Sequence, residues 1–340
     1  MEYRLLGRTG LKVSPLCLGT LTFGTRVFPI GGGTPPEEAY RMVARALDTG
    51  INFVDTANVY SRGISEEVTG EALKRLGQRD RVILATKVHG AMADDDPNMQ
   101  GTSRRHVMEQ CHASLRRLQT DYIDLYQLHR PQTHLPIDET LRALDDLIRD
   151  GKVRYIGTST YAAWQLLESL WVAKEYGLNR FISEQPPYHI LDRRIERELV
   201  PMSLTYGVGL LPWSPLAGGL LTGKYRRNEE LPAGSRYTRH PARHTRMVDD
   251  VFRVTEGLEG HVRQKGGTMA QFALAWVMHQ PGITSAIIGP RTFEQLEDNL
   301  GALDVDITPE DCQLVDTLVP PGTMVSPFYE ADFGPSVFRW

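Results

Sequence analysis

Residues 123–159 read IDLYQLHRPQTHLPIDETLRALDDLIRDGKVRYIGTS. Two short apolar runs, IDLYQL at 123–128 and VRYIG at 153–157, flank a stretch of helical period. There Leu141, Leu144, Leu147 and Ile148 recur on one face. Gly151 closes that stretch, at a position where a left-handed backbone commonly terminates a helix. Strand, amphipathic helix and strand in this order make a parallel pair with the helix packed on the sheet.

The same unit repeats outward in both directions. Apolar runs at 16–19, 51–54, 82–85, 123–128, 153–157, 181–184, 208–212 and 284–288 give eight strands. Helical period lies between them: Ala39, Met42, Val43, Ala46 and Leu47 in one case, Val107, Cys111, Ser114, Leu115 and Leu118 in another. Eight βα units in 340 residues fit a closed (β/α)8 TIM barrel, read as a single domain over 1–340. The rival, an open doubly wound sheet, lacks its GxGxxG after the first strand, and the glycines at 31–33 have no strand feeding them. Runs at 3–6 and 11–13 flank two glycines and predict an N-terminal β-hairpin. A long Gly-, Pro- and Arg-rich segment, 213–246, follows the seventh strand. The aromatic C-terminal tail, 320–340, is expected to lie over the barrel mouth.

Composition narrows the function classes. A formal net charge of −4 supplies no general basic field, so neither nucleic acid nor a membrane surface is an expected partner. A local basic patch remains compatible with a phosphorylated small molecule. Cys17, Cys111 and Cys312 are far apart, odd in number and without zinc-ligand spacing, which reads as free thiols in a reducing compartment. His240 and His244 have i, i+4 spacing, but Pro241 lies between them, and no metal is expected. Arg4 and Arg8 interrupt the N-terminal apolar residues, and no apolar run approaches the ~20 residues of a membrane span. The expected location is cytoplasmic, and the oligomeric state is left open.

The polar residues beyond the apolar runs carry the chemistry. Asp55 follows INFV, with Tyr60 five residues on; Lys87 follows VILAT; His129 follows IDLYQL. Ser159, Gln185, Trp213, Ser214 and Arg291 stand at the corresponding points of later strands. In a barrel all of these lie on the C-terminal face and converge. A tyrosine in water titrates near ~10 and is a sluggish proton donor at neutral pH. A lysine beside it favours the tyrosinate, and an aspartate keeps that lysine charged and in place. A histidine can then hydrogen-bond a carbonyl oxygen as charge develops on it. Together they suit proton transfer during carbonyl reduction, with the hydride supplied by a cofactor.

Eight motifs carry a resemblance. They are LGRTGLKVSPLCLGT (6–20), DTANVYSRGISEEVTGEALK (55–74), ATKV (85–88), YQLHRP (126–131), IGTS (156–159), SEQPPY (183–188), WSPLAGGLLTGKY (213–225) and IIGPRTFEQLEDNL (287–300). In this order they resemble the aldo-keto reductase superfamily over about residues 5–303, in the branch of bacterial aldo-keto reductases and potassium-channel β-subunits. The resemblance implies a catalytic tetrad of Asp55, Tyr60, Lys87 and His129. It implies that Gly19 and Thr20 lie beside the nicotinamide ribose, with Asp55 close by, and that Ser159 and Gln185 hold the carboxamide. Trp213 would stack on the nicotinamide, while Ser214, Leu216 and Gly218 would form the pyrophosphate loop. Arg291, Gln295 and Asn299 would meet the adenosine 2′-phosphate and the adenine.

Two departures are visible. Thr160 stands where many members carry Asn after the carboxamide serine. Some branches place lysine at the position of Gly289 and arginine at that of Gln295, which leaves Arg291 as the main cation. Its guanidinium suits phosphate, so NADP(H) is the expected cofactor. The partner is a small-molecule carbonyl or alcohol. Walls are expected from residues 21–35 and 89–97 and from the tail, with Phe23, Phe28, His89, Phe328, Tyr329 and Trp340 among them. The contrasting reading is a cofactor-binding sensor or regulatory subunit on the same fold. Four tetrad residue types, and no N-terminal arm ahead of the hairpin, favour an enzyme.

Overall fold

The computed structural model describes residues 1–24, 33–239 and 241–326, with the side chains of 241–243 excepted. The chain opens with an antiparallel hairpin, β1 (Arg4–Leu5) against β2 (Lys12–Val13). Eight parallel strands follow: β3 (Leu16–Gly19), β4 (Phe53–Asp55), β5 (Ile83–Val88), β6 (Ile123–Leu128), β7 (Val153–Ser159), β8 (Phe181–Gln185), β9 (Gly209–Leu210) and β10 (Ala286–Ile288). Their order is β10-β3-β4-β5-β6-β7-β8-β9. Parallel bridges Leu210–Ile283 and Trp213–Ile287 join the two ends, with the Ile287 N–H donating to Pro212 O at 2.9 Å. The sheet therefore closes, and the (β/α)8 barrel is the observed fold.

Helices wrap the outside for the reasons the period gave. On helix Ile137–Arg149, Leu141, Leu144 and Leu147 are buried, and Gly151 beyond it takes φ 68°. Helix Pro36–Asp48 buries Ala39, Met42, Val43 and Ala46, and helix Arg104–Leu118 buries Val107, Cys111, Ser114, Leu115 and Leu118. The Ser103 hydroxyl caps the latter by accepting from the His106 N–H, satisfying an amide that the helix leaves unpaired. Among the described residues, no helix is long and apolar enough to cross a membrane.

Inside the barrel, strand alternation makes layers. Cys17, Phe53, Ala85, Leu125, Ile182, Leu211 and Ile287 form an apolar floor with Leu6 and Val13 of the hairpin. The hairpin thus plugs the bottom. Gly7 makes this possible: it has φ +56°, and a Cβ there would lie 2.4 Å from Ile182 O. Two residues beyond three of these apolar side chains come Asp55, Lys87 and Gln127. On a strand that spacing returns each side chain to the same face, so a polar layer sits directly above the apolar one.

Three sequence expectations shift. Asp55, Lys87, Ser159 and Gln185 do not follow their strands but belong to them, because their backbones continue the ladder: Asp55 pairs with Ala85, Lys87 with Gln127 and Ser159 with Gln185. The long segment after β9 carries its own short turns, Ala217–Thr222, Arg236–Arg239 and Pro241–Arg246. The C-terminal tail is described only to Ser326. There Val325 N–H donates to Leu191 O and Ser326 Oγ to Arg246 O, so this part joins the segment after β8 to the one after β9. Phe28, Gly31, Gly32, His240, Phe328, Tyr329 and Trp340 lie outside the described residues, as does the crossing of the mouth by the tail.

Candidate active site

The Lys87 ammonium is fully buried and has three N–H groups to place. One meets Asp55 Oδ2, one donates to Thr56 O at 2.9 Å, and one donates to the Tyr60 hydroxyl oxygen at 3.1 Å. All three donors are spent. Because Tyr60 receives a hydrogen bond at its oxygen, its own proton is directed elsewhere. Burial works against the Lys87 charge, but Asp55 and Tyr60 outweigh it and hold its pKa above the ordinary lysine value.

Asp55 is fixed from its other side. Its Oδ1 accepts from Gln127 Nε2 at 2.9 Å and from Gln185 Nε2 at 3.0 Å, while Gln185 Nε2 also donates to Gln127 Oε1 at 3.1 Å. A buried carboxylate has lost its water, and these donors replace it. Gln127 is therefore part of the site, although sequence reading passed over it. Its signal was the period of two in IDLYQLH, which aligns Leu125, Gln127 and His129.

Tyr60 arrives from outside the strand. Residues 56–60 run on along β5, with the Thr56 N–H on Ala85 O and the Asn58 N–H on Lys87 O. Ser61, Arg62 and Gly63 then take φ of 49°, 51° and 98°, reversing the chain into helix Ile64–Leu76. His129 stands edge-on to Tyr60, with ring centroids 5.6 Å apart at 77°. Loss of water around its ring, then the charges of Arg130 and Lys87, push its pKa well below the ordinary histidine value. At neutral pH it is a neutral imidazole with one N–H to give. His89, pushed down to about 4 chiefly by burial, is neutral as well. Asp55, Tyr60, Lys87 and His129 thus converge from four segments.

The remaining candidates separate into two groups. Ser159 Oγ donates to Gln185 O at 3.0 Å, next to Thr160, which has φ 64° and accepts from Arg130 Nη1 at 3.0 Å. Trp213 is half-buried at the end of β9. After it, Ser214, Ala217, Gly218 and Gly219 all have positive φ, while Leu216 lies at φ −95°. Alternation of this kind makes a backbone concavity suited to anions. A Cβ at Gly219 would come within 3.1 Å of Lys224 Nζ, so the missing side chain lets that ammonium approach.

Several candidates are engaged within the protein. Gly19 is needed for packing, since a Cβ there would sit 2.7 Å from Ile287 Cγ2. The Thr20 hydroxyl is buried against Ser65 Oγ at 2.9 Å, and its backbone is engaged as well, the N–H donating to Asp55 O at 2.9 Å and the carbonyl accepting from Ser65 Oγ at 2.6 Å. Gln295 Oε1 accepts from the Arg291 N–H at 2.9 Å and so braces that turn. Asn299 is buried on helix Phe293–Leu300.

A cationic cluster surrounds Arg291. Desolvation and then the charges of Arg236, Arg291 and Arg239 depress the Lys224 pKa, and desolvation and then Arg291 depress that of Arg239. The Arg291 guanidinium donates to Gly234 O at 3.0 Å, which ties it to the long segment. Among the described residues, neither Lys224, Arg239 nor Arg291 has a carboxylate within ion-pair distance. In the sequence Arg239 belongs to a run of arginines, 226, 227, 236, 239, 243 and 246, that reads as a solvated loop or, alternatively, as a closure over cofactor phosphates, while Lys224 stands in a glycine-rich motif with no role of its own. Gathered like charges of this kind suit a polyanionic ligand. Among the described residues, no group of His, Cys, Asp and Glu is arranged to hold a metal ion.

The aldo/keto reductase family profile matches residues 15–320. The chain belongs to the aldo/keto reductase family. It is 39% identical over 328 residues to an uncharacterized oxidoreductase, YrpG, of Bacillus subtilis, covering 94% of this chain and 96% of that protein. A probable voltage-gated potassium channel subunit beta of Oryza sativa is 38% identical over 94% of this chain and 97% of its own. Versiconal hemiacetal acetate reductase of Aspergillus parasiticus is 34% identical over 93% of this chain and 96% of its own. As a member of that family, this aldo/keto reductase is an oxidoreductase suited to small carbonyl compounds.

Proposed function

We propose that the chain reduces an aldehyde or ketone with NADPH, reversibly, and that Tyr60 supplies the proton. The observation that carries this reading is the set of three bonds from Lys87. They hold the Tyr60 oxygen as an acceptor and leave its proton free to move toward a substrate oxygen. NADPH, when bound, supplies the hydride. In reduction Tyr60 gives its proton to the carbonyl oxygen, and Lys87 stabilises the phenolate left behind. Asp55 keeps Lys87 charged. The neutral His129 donates a hydrogen bond to the same carbonyl oxygen as negative charge builds on it. In alcohol oxidation Tyr60 acts in reverse, as the base.

The residues present suit the cofactor. Gln185 Nε2 is committed to Asp55 and Gln127, and its Oε1 is the atom that would accept from the carboxamide. Ser159 would supply the second contact, Trp213 the stacking face, and the 214–219 turn the pyrophosphate site. The cations Lys224, Arg239 and Arg291 favour a 2′-phosphate, hence NADP(H) over NAD(H). Three free thiols, two of them buried, agree with a reducing cytoplasmic setting.

The second reading, a cofactor-occupied regulatory subunit, is favoured by the potassium-channel β-subunit relatives alone. A panel of aldehydes and ketones, followed at the reduced-nicotinamide absorbance band, separates the two. Turnover of any of them supports the enzyme. Tight NADPH binding with no turnover across the panel supports the regulatory subunit.

A further inference from the structure

The last two residues of β8 face opposite ways. Gln185 points into the barrel, onto Asp55 and Gln127. Glu184 points outward and is completely buried. Its Oε2 accepts from the Thr158 hydroxyl and its Oε1 from the Tyr161 N–H at 3.1 Å. These two bonds straddle Ser159 and Thr160. Thr160 holds a left-handed φ of 64°, a conformation that is strained for a non-glycine residue and persists only where neighbours impose it. Ser159 is tied to β8 on the inner side through Gln185 O, and Glu184 grips both flanks from the outer side.

No structural salt bridge accounts for this carboxyl group: among the described residues it has no cation within ion-pair distance. The charged group acting on it is Arg130, from the loop after β6, and the titratable one is Tyr161, from the loop after β7. Burial pushes the Glu184 carboxyl up to about 8, against the opposing pull of Thr158, the Tyr161 and Thr160 amides, and Arg130.

We infer that Glu184 is a positioning residue for the cofactor: by gripping the 158–161 turn it sets Ser159 for the nicotinamide carboxamide, and its ionised form does so best. The inference rests on the proposed placing of the carboxamide at Ser159 and Gln185. The ionised form is favoured because both observed bonds use the carboxyl oxygens as acceptors, and hydrogen bonds to a charged acceptor are the stronger kind. A protonated Glu184 gives up one of those acceptor sites.

Binding of NADP⁺ and of 2′-phospho-ADP-ribose, which lacks the nicotinamide, tests this by fluorescence quenching in the wild type, Glu184→Gln and Glu184→Asp. In the wild type, NADP⁺ affinity is expected to rise several-fold as pH passes upward through about 8, with 2′-phospho-ADP-ribose unaffected. Glu184→Gln should bind NADP⁺ roughly tenfold more weakly above that pH, with no pH dependence, and 2′-phospho-ADP-ribose as the wild type does. Glu184→Asp, with a shorter reach but the same charge, should retain a pH dependence at reduced affinity. A glutamine variant with the parental NADP⁺ profile overturns the inference, as does equal loss of both ligands. A wild type that binds 2′-phospho-ADP-ribose but gains nothing from the nicotinamide overturns the carboxamide reading beneath it. Should the glutamine variant not fold, a flat NADP⁺ profile in the wild type alone overturns the inference.

Discussion

Inside the barrel, Asp55 and Lys87 face one another with each charge matched and each donor of the lysine spent. At the rim, Lys224, Arg239 and Arg291 gather with no carboxylate among the described residues to answer them. The two regions differ in what completes them. The interior pair is complete in the protein alone, so the geometry around Tyr60 is fixed before any ligand arrives. The rim cluster has no such partner among the described residues, which is the state that a bound anion would relieve. A matched pair prepares chemistry; an unmatched cluster selects what may sit there.

The comparison can be broken most severely from within. Lys87→Met leaves Asp55 as a buried charge without its cation. Losing one partner of such a pair costs about 3–5 kcal/mol, so the melting temperature should fall sharply and turnover by about 10³-fold or more. Unchanged melting would mean that the pair is not the structural unit described. Tyr60→Phe is gentler, since only a hydroxyl goes. Turnover should drop at least ~100-fold with cofactor affinity nearly unchanged, as measured by steady-state kinetics beside a binding titration. Parental turnover would show that the proton comes from elsewhere.

At the rim, Arg291→Ala should weaken NADPH by roughly 10- to 100-fold and NADH hardly at all, because only one of them carries the 2′-phosphate. Equal weakening of both would move the phosphate site away from the cluster. The smallest effect belongs to a matched cluster remote from the site. Asp311 accepts from the Thr308 N–H, pairs with Lys265 at 2.7 Å and meets His261. These partners outweigh burial and bring its pKa down to about 2. A depressed carboxyl stabilises the fold above its unfolded pKa, and that contribution is lost as pH falls from about 4 through about 2. Asp311→Asn should lower melting by a few degrees at neutral pH, with the gap to wild type narrowing in acid and turnover unaltered.

How far the sequence reaches follows the same division. Strand and helix placement was readable because burial imposes periods of 2 and 3.6, and the gathering of Asp55, Tyr60, Lys87 and His129 was readable because each lies at or just beyond the C-terminal part of a parallel strand. Side-chain commitments were not. Nothing in LGT shows that the Thr20 hydroxyl turns away to Ser65, and nothing in FEQL shows that Gln295 serves the Arg291 backbone. Such bonds depend on where two distant segments meet. Glu184 was hidden inside an apolar run, because its partners are a hydroxyl and amides of the neighbouring strand's loop. Lys224 was hidden by ordinary surroundings; the glycines before it were the available sign that something approaches closely.

The hairpin at the start of the chain has one more consequence. With Leu6 and Val13 wedged beneath the strands, the barrel is a cup rather than a tube. Among the described residues the hairpin end is filled by side chains, so the Asp55–Lys87 layer is reached from the opposite end of the strands.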